Sequence, residues 1–183
     1  MQNKLRIIGG QWRSRIITFA DAPDLRPTPG RVRETLFNWL QYDIIGRTCL
    51  DLYAGSGALG FEAASRGAKS VVQVESNPQA CQTLRQNAAA LLANQVSSVQ
   101  ADVLAFLAGK AEGFDVVFID PPFAQNKVFE TCQALENNGW LTAHAKIYVE
   151  TERALMLNDL PTNWQLLKHK TAGEVAYHLF ERS

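Results

Sequence analysis

A glycine-rich turn between a predicted strand and a predicted helix constrains the fold of this chain more than any other feature. Residues 54–60 read Ala-Gly-Ser-Gly-Ala-Leu-Gly, so Gly55, Gly57 and Gly60 have the spacing G-x-G-x-x-G. The apolar run before them, residues 48–53, predicts a buried strand. Glycines in such a turn let the backbone approach a ligand closely, and the next helix offers N–H donors at its N-terminus. The sequence therefore predicts a nucleotide-binding β–α unit.

The alternation of strand and helix continues along the chain and predicts an α/β fold. Periodic apolar residues, such as Ala80, Leu84, Ala88 and Leu91, predict amphipathic helices between the strands. The further predicted strands are 70–75, 96–101, 114–119, 146–151, 164–171 and 175–181. The last two are close enough for an antiparallel hairpin through Ala172-Gly173. Repeated β–α units imply a mainly parallel sheet that binds ligands beyond the carboxyl ends of its strands.

The first 40 residues follow a different pattern. Residues 1–27 predict short strands around a turn at Gly9-Gly10. A helix is then predicted to begin near Thr28-Pro29, where Thr can cap and Pro suits the first helical position. The residues that share its apolar face are Val32, Leu36, Trp39 and Leu40, whereas Arg31, Arg33, Glu34 and Asn38 lie largely elsewhere.

The charge of the chain is unevenly distributed. The whole chain has a net charge of zero, but residues 1–40 contain seven basic and three acidic residues, a net charge of +4. Six of the seven bases are Arg, whose planar guanidinium suits phosphate and base edges better than Lys does. The seven are Lys4, Arg6, Arg13, Arg15, Arg26, Arg31 and Arg33. Charge alone leaves two interpretations open, an RNA-binding arm or a solvated surface segment.

Two carboxylates near the glycine turn bear on which nucleotide it binds. Glu75 ends the next predicted strand, where it can accept hydrogen bonds from both ribose hydroxyls of an adenosine. Asp51 lies four residues before Gly55 and suits the amino acid end and positive sulfonium of S-adenosylmethionine. A dinucleotide would place its pyrophosphate against this turn, where an extra carboxylate is unfavourable. The turn alone fits NAD almost as well, and Asp51 favours S-adenosylmethionine.

A second feature, Asp120-Pro-Pro-Phe123, follows the strand predicted at 114–119 and also favours that cofactor. The Asp120 carboxylate and the Pro121 carbonyl can accept from an exocyclic amine and stabilise positive charge as a methyl group arrives. Pro121 and Pro122 fix the loop, and Phe123 can stack on a base. The sequence therefore predicts methylation of an exocyclic amine by alignment, with no metal and no covalent intermediate.

Other polar residues favour structural roles. Asp102 can bond the adenine amine of the cofactor or simply cap a helix, and the sequence leaves both open. His144, His169 and His178 lack metal-ligand spacing, and Trp140 and Trp164 are expected to pack. Cys49, Cys81 and Cys132 fit neither a complete disulfide framework nor a zinc pair. We expect a cytoplasmic monomer without a secretory signal or a membrane span, since no apolar run approaches about 18 residues.

The chain resembles the RsmD family, the bacterial 16S ribosomal RNA guanine-N2 methyltransferases, over essentially its full length. The glycine turn and Asp120–Phe123 are shared with many methyltransferases. More specific are Arg6-Ile-Ile-Gly-Gly10 with Arg13 and Arg15, Leu25-Arg-Pro-Thr28 and Arg31-Val-Arg-Glu-Thr-Leu-Phe-Asn38. Ser14 departs from the family, which usually has Gly there.

The resemblance implies a Rossmann-like class I S-adenosylmethionine-dependent methyltransferase fold, with a seven-stranded, mostly parallel sheet and one antiparallel strand. It implies methylation of guanine N2, at position 966 of 16S rRNA, within the small ribosomal subunit. We assign residues 1–40 to a basic RNA-binding arm and cofactor lid, and residues 41–183 to the catalytic domain. The implied cofactor residues are Asp51, Ala54, Gly55, Gly57, Glu75 and Asp102. The implied catalytic residues are Asp120, Pro121, Pro122 and Phe123, and the implied RNA contacts are Arg6, Arg13, Arg15, Arg26, Arg31 and Arg33.

Three alternatives remain open from the residues. An adenine-N6 methyltransferase acting on RNA or DNA needs the same amine acceptors, although this short chain has no separate target-recognition domain. An NAD-dependent oxidoreductase would leave Asp120–Phe123 unexplained and lacks a convincing proton-transfer residue. A non-catalytic RNA-binding or ribosome-assembly factor would need neither the cofactor motif nor the amine-orienting motif.

Overall fold

The computed structural model of the chain describes residues 2–23, 25–123 and 126–183, and it has an α/β architecture. The strands are β1 (Gln2–Arg6), β2 (Ile16–Ala20), β3 (Thr48–Leu52), β4 (Ser70–Glu75), β5 (Val96–Gln100), β6 (Phe114–Ile119), β7 (Leu141–Glu152), β8 (Trp164–Ala172) and β9 (Val175–Arg182). The helices are α1 (Gly30–Trp39), α2 (Ala58–Ser65), α3 (Pro78–Ala90), α4 (Val103–Leu107) and α5 (Lys127–Asn137).

Seven strands form one sheet in the order β5-β4-β3-β6-β7-β9-β8. Strands β3 to β7 pair in parallel, and β9 pairs antiparallel with both β7 and β8. The predicted mostly parallel sheet with one antiparallel strand is therefore confirmed, as is the hairpin of the last two strands. Because β3 and β6 are neighbours, the glycine turn after β3 lies beside the segment that follows β6.

Two hydrophobic clusters cover the two faces of this sheet. Alternate residues of each strand enter different clusters, as the period of a strand requires, for example Cys49 and Leu50. One cluster packs α1, α2, α3 and residues 7–17 against the sheet. The other packs α4 and α5, and it contains Trp140 and Trp164, whose expected packing role is confirmed.

The N-terminal hairpin is docked firmly on the body of the protein. Strands β1 and β2 pair antiparallel, and Ile7, Trp12 and Ile17 are buried in the cluster that covers α2 and α3. The Ser65 carbonyl at the end of α2 accepts from the backbone of Gln11 at 2.7 Å. Gly10, at φ +77°, passes so close to the Ser65 carbonyl that a side chain would collide with it. The Gly9-Gly10 turn is thus required for packing.

The start of α1 corrects one prediction. The helix begins at Gly30 with Pro29 before it, and no side chain caps it. The predicted Thr28 cap is therefore wrong, because the Thr28 hydroxyl points instead to two carboxylates described below. Asn77 does cap α3, accepting from the Ala80 backbone at 3.0 Å.

Strand β7 is longer than the sequence predicts. It begins at Leu141 rather than at residue 146, because Leu141 already pairs with Phe114 of β6. His144 has a φ of +62°, and the register of β6 against β7 shifts between Phe114 and Val116. This irregularity interrupts the alternation that would have revealed the strand.

Within the described residues, no helix is long and apolar enough to cross a membrane.

Candidate active site

The glycine turn forms a tight cradle at the carboxyl end of β3. Gly57 has a φ of +81°, and a Cβ there would lie 2.6 Å from Leu84 Cδ2. A Cβ on Gly60 would lie 2.6 Å from Gln73 Nε2. Gly55, at φ +54°, has more space, since a Cβ would meet Leu25 at 3.8 Å. Two of the glycines are therefore required for close packing, and the third for its backbone conformation.

Asp51 lies buried beneath this cradle. Its Oδ2 accepts from the Gly60 backbone N–H at 3.0 Å, which ties the strand to the first turn of α2. Burial raises the pKa of Asp51 to about 8, and the negative charge of Glu75 acts in the same direction. The N–H of Gly60 and the side chain of Gln73 lower that pKa. The site thus holds a carboxyl group that a nearby positive charge would readily ionise.

Glu75 and Asp102 lie at the carboxyl ends of neighbouring strands. Burial raises the pKa of Glu75, whereas the N–H groups of Asn77, Ser76 and Gly55 lower it, so the carboxyl group lies against the glycine turn. Asp102 caps α4 through the Ala105 backbone at 3.0 Å. Its other oxygen lies 3.8 Å from Lys127 Nζ. The capping alternative for Asp102 is confirmed, and a cofactor contact is still a prediction.

The segment Asp120–Phe123 follows β6 at the same edge of the sheet. Asp120 is half-buried and Pro121 is buried, whereas Phe123 is 44% exposed. Burial, followed by the negative charges of Glu150 and Asp51, raises the pKa of Asp120 well above its ordinary value. A cavity of about 210 Å³ adjoins this segment and is lined by Pro121, Phe123, Val128, Glu150 and Leu155 among others.

The sequence did not predict a second carboxylate in this site, Glu150 of β7. Thr28 Oγ1 lies 3.4 Å from Asp120 Oδ2 and 3.3 Å from Glu150 Oε2. The Tyr148 hydroxyl donates to the same Glu150 oxygen at 3.0 Å. Glu150 is only 5% exposed, and burial raises its pKa. The available sequence signal for Glu150 was a buried acid within an apolar strand. Its proximity to Asp120 could be recognised only from the register of β6 against β7.

The structure removes Arg33 from the predicted set of RNA-binding residues. It was expected on the polar side of α1, but its side chain is only 6% exposed and pairs with Glu62 at 3.6 Å. It also donates to the backbone oxygens of Thr28 and Arg6, both at 3.1 Å. The mainly apolar face of the helix therefore contains a buried cation, which the apolar periodicity did not reveal.

The other five predicted arginines are exposed. Arg6 and Arg15 donate to the backbone oxygens of Ser14 and Ala90, which holds them against the protein. Arg13, Arg26 and Arg31 are also exposed. Arg26 follows directly on Leu25, the residue beside the glycine cradle, so part of this basic surface borders the candidate active site.

The histidines and cysteines lie apart from this arrangement. His178 is buried, with Nδ1 3.1 Å from the Val149 carbonyl, and His144 pairs with Glu181 on the surface. The three cysteines are free and buried. Over the described residues, no cluster of His, Cys, Asp and Glu has the arrangement of a metal site.

The seven-stranded sheet and its glycine turn define the class of the protein, since they form the fold of class I S-adenosylmethionine-dependent methyltransferases. A family model described as Conserved hypothetical protein 95 matches residues 5–181. Ribosomal RNA small subunit methyltransferase D of Escherichia coli K12 is 48% identical over 179 residues, which are 98% of this chain and 90% of that relative. The chain belongs to this family, the RsmD methyltransferases.

Two further similarities support the membership. The protein of the same name in Haemophilus influenzae is 45% identical, over 98% of this chain and 95% of that relative. The solved structure of a putative methyltransferase from Escherichia coli is 45% identical and covers 99% of both chains with a TM-score of 0.94. The chain is accordingly a methyltransferase.

Proposed function

We propose that this methyltransferase transfers a methyl group from S-adenosylmethionine to the exocyclic N2 of a guanine in 16S rRNA, at position 966, within the small ribosomal subunit. The observation that carries the proposal is the half-buried Asp120 beside the exposed Phe123, at the strand end adjoining the glycine cradle. The names of the relatives, which are small-subunit rRNA methyltransferases, support the substrate class.

The residues of the glycine cradle fit the proposed cofactor. The cofactor, when bound, supplies a methyl group on a positively charged sulfonium. Ala54, Gly55 and Gly57 would present the backbone of the turn to the cofactor, and Asp51, bonded to the Gly60 N–H, would supply a carboxylate beneath it. Glu75 would hold the ribose hydroxyls, and Asp102 would accept from the adenine amine. The raised pKa of Asp51 suits a site built for a cation, since binding positive charge there favours the ionised form.

The acceptors of Asp120–Phe123 act on the guanine amine. Asp120 and the Pro121 carbonyl would accept its two N–H groups and so orient its lone pair for methyl transfer. As positive charge develops on the nitrogen, the Asp120 carboxylate stabilises it. Pro121 and Pro122 hold the acceptors in place, and Phe123, which is 44% exposed, stacks on the extruded base. Alignment of the two reactants supplies most of the rate enhancement.

Residues 1–40 are proposed to bind the RNA and cover the cofactor, and residues 41–183 to catalyse the transfer. Leu25 supports the lid, since a Cβ on Gly55 would lie only 3.8 Å from the Leu25 side chain. The exposed arginines Arg6, Arg13, Arg15, Arg26 and Arg31 would contact RNA phosphates and bases. Arg33 is omitted from this set because it is buried.

A substrate comparison tests the proposal. Purified protein and tritiated S-adenosylmethionine are offered to small subunits from cells that lack this gene, to free 16S RNA and to duplex DNA. We expect label on the subunits and little on DNA. Label confined to DNA would overturn the substrate, and no label on any acceptor would revive the non-catalytic interpretation.

We predict that Asp120→Ala retains cofactor binding but lowers transfer by about 100-fold or more, because a lost transition-state acceptor typically costs that much. Initial rates of transfer and calorimetric binding of the cofactor measure the two effects separately. Asp115→Ala is the matched control, because Asp115 lies near the start of β6, at the end remote from Asp120, where it is bonded to Thr48. Unchanged turnover of Asp120→Ala would exclude the amine-orienting role.

A further inference from the structure

Asp120 and Glu150 form a pair of carboxyl groups with one hydroxyl between them. Phe118 and Tyr148 are register partners on β6 and β7, and Asp120 and Glu150 each follow two residues later on the same side of the sheet. Thr28, from the segment before α1, inserts its hydroxyl between them at 3.4 and 3.3 Å. Thr28 is 4% exposed and Glu150 is 5% exposed, so bulk water does not solvate this junction freely.

The number of protons in this cluster is limited. The Thr28 hydroxyl has one hydrogen and can donate to only one of the two carboxylates. The Tyr148 hydroxyl donates to Glu150. If both acids are ionised, one of the two Thr28 contacts has no hydrogen between its oxygens, which is unfavourable at a buried site. One additional proton satisfies every contact, because a protonated carboxyl donates to Thr28 while Thr28 donates to the other acid.

We propose that Asp120 and Glu150 hold a single proton between them through the Thr28 hydroxyl, and that Glu150 is a positioning residue that sets the charge of Asp120. In the empty site the proton lies on Asp120, and Glu150 is the anion that accepts from Thr28 and Tyr148. When the target amine donates to Asp120, the proton passes to Thr28 as the Thr28 proton passes to Glu150. Asp120 then becomes an anion where positive charge develops, with no net gain or loss of protons. This inference rests on the proposed function.

The electrostatic surroundings agree with this arrangement. Burial and the charge of Glu150 raise the pKa of Asp120, whereas hydrogen bonds from Tyr148 and Thr28 lower the pKa of Glu150 against the effect of its burial. Asp51 of β3 further raises the pKa of Asp120. Tyr177 of β9 lies against Tyr148, with ring centroids 6.5 Å apart. Arg33 is the nearby cation on α1, and it binds the Thr28 carbonyl rather than the pair.

Carboxyl titrations in the intact protein without substrate test the shared proton directly. Carbon-13 NMR of labelled Asp and Glu side chains follows both groups, and Asp120→Asn and Glu150→Gln assign them. We expect two coupled steps in the wild type. In Glu150→Gln, Asp120 should titrate in one step with its midpoint lowered by about one pH unit or more, since the neighbouring negative charge is gone. An unchanged Asp120 midpoint would overturn the proposal.

Variants of Thr28 and Tyr148 test the bridge itself. Thr28→Val removes both the acceptor of the Asp120 proton and a donor to the Glu150 anion, so the Asp120 midpoint should fall, whereas Thr28→Ser should restore the wild-type titration. Tyr148→Phe removes a donor from Glu150 only, so Glu150 should keep the proton more strongly and the Asp120 midpoint should fall. This mild variant keeps the test decisive if Glu150→Gln does not fold. A Tyr148→Phe midpoint equal to that of the wild type would then count against the pair.

The dependence of turnover on pH gives a second readout. Since the anion of Asp120 is the active form, the acidic limb of the kcat profile should move to lower pH in Glu150→Gln. A uniform loss of kcat with an unmoved limb would mean a purely structural role for Glu150. Failure of the proposed function is distinguishable, because it would appear as no methylation by the wild type, while the NMR titrations would remain interpretable.

Discussion

Neighbouring arginines on α1 show how one residue's environment decides its role. Arg31 is exposed, but Arg33 is buried against Glu62, although the sequence pattern assigned both to RNA. Their substitution should therefore have different effects. Arg26→Gln with Arg31→Gln should weaken RNA binding and reduce the slope of log affinity against log salt by about 0.7–0.9 for each lost phosphate contact.

Arg33→Gln is the matched comparison for that pair. It should lower the free energy of unfolding, because Glu62 would lose a buried partner, and it should change the salt slope of the folded protein little. Filter binding to small subunits at several salt concentrations, together with urea unfolding, separates these effects. An unchanged salt slope in the Arg26 and Arg31 variant would show that residues 1–40 form a solvated surface and not an RNA-binding arm.

Ser14 has a strained backbone conformation. Its φ of +70° is one that residues with a Cβ adopt at a cost. Ser14→Gly should raise the free energy of unfolding by about 0.5–1 kcal/mol after the added freedom of the unfolded chain is included. Urea unfolding measures this, and Ser97→Gly on β5, which has no positive φ, should instead be destabilising. Equal effects of the two substitutions would contradict a local strain at Ser14.

Asp51 makes stability depend on pH. Its folded pKa near 8 is above the ordinary 3.8, so between these values the folded protein binds more protons than the unfolded chain. The free energy of unfolding therefore falls as pH rises through this window. From pH 5 to pH 8, Asp51→Asn should gain about 1 kcal/mol or more relative to the wild type, since one pKa unit corresponds to about 1.4 kcal/mol.

Chemical denaturation at pH 5, 6.5 and 8 checks this prediction. Asp115→Asn serves as the control, because the pKa of Asp115 is lowered and the group is ionised throughout this range. Its difference from the wild type should stay constant with pH. A constant difference for Asp51→Asn as well would contradict a raised pKa.

At the scale of elements, Glu62 of α2 attaches the N-terminal hairpin to the body. It is fully buried and accepts from the backbone N–H groups of Ile8 at 2.9 Å and Gly9 at 3.2 Å. It also pairs with Arg33 at 3.6 Å and Arg66 at 3.4 Å. The Glu62 carboxylate therefore connects the N-terminal hairpin, the end of α2 and α1. Its removal should loosen all three.

We expect Glu62→Gln to lower the free energy of unfolding by about 3 kcal/mol, because it leaves a buried cation without its partner. Hydrogen exchange at the Ile8 and Gly9 amides should accelerate more than exchange in β6. Glu34→Gln, on the exposed side of α1, should change stability by no more than about 0.5 kcal/mol. Uniform acceleration across the sheet would argue against a local attachment.

At the scale of the whole molecule, the sequence predicts the sheet well because each β–α unit carries its own local pattern. The glycine turn and Asp120–Phe123 fall at strand ends that a parallel sheet must bring together. Glu150 and Thr28 were not assigned to the site, because their proximity to Asp120 depends on the order β3-β6-β7 and on how the N-terminal segment packs. Long-range packing, which leaves no local pattern, also explains the buried position of Arg33.

The uneven distribution of charge is also a property of the whole molecule. Residues 1–40 have a net charge of +4, and the remaining residues have a net negative charge, since the whole chain is neutral. The turn that carries Arg13 and Arg15 packs at the last residues of α2 and α3, the helix ends remote from the glycine cradle. Arg26 follows directly on Leu25 beside Gly55, so among these exposed arginines it is Arg26 that borders the proposed active site.

The proposed reaction is tested most directly by identifying the nucleoside that the protein methylates. Small subunits from cells lacking the gene are incubated with the protein and S-adenosylmethionine, digested to nucleosides and analysed by mass spectrometry. We predict N2-methylguanosine with the wild type and almost none with Asp120→Ala. N6-methyladenosine, or equal N2-methylguanosine with both proteins, would contradict it.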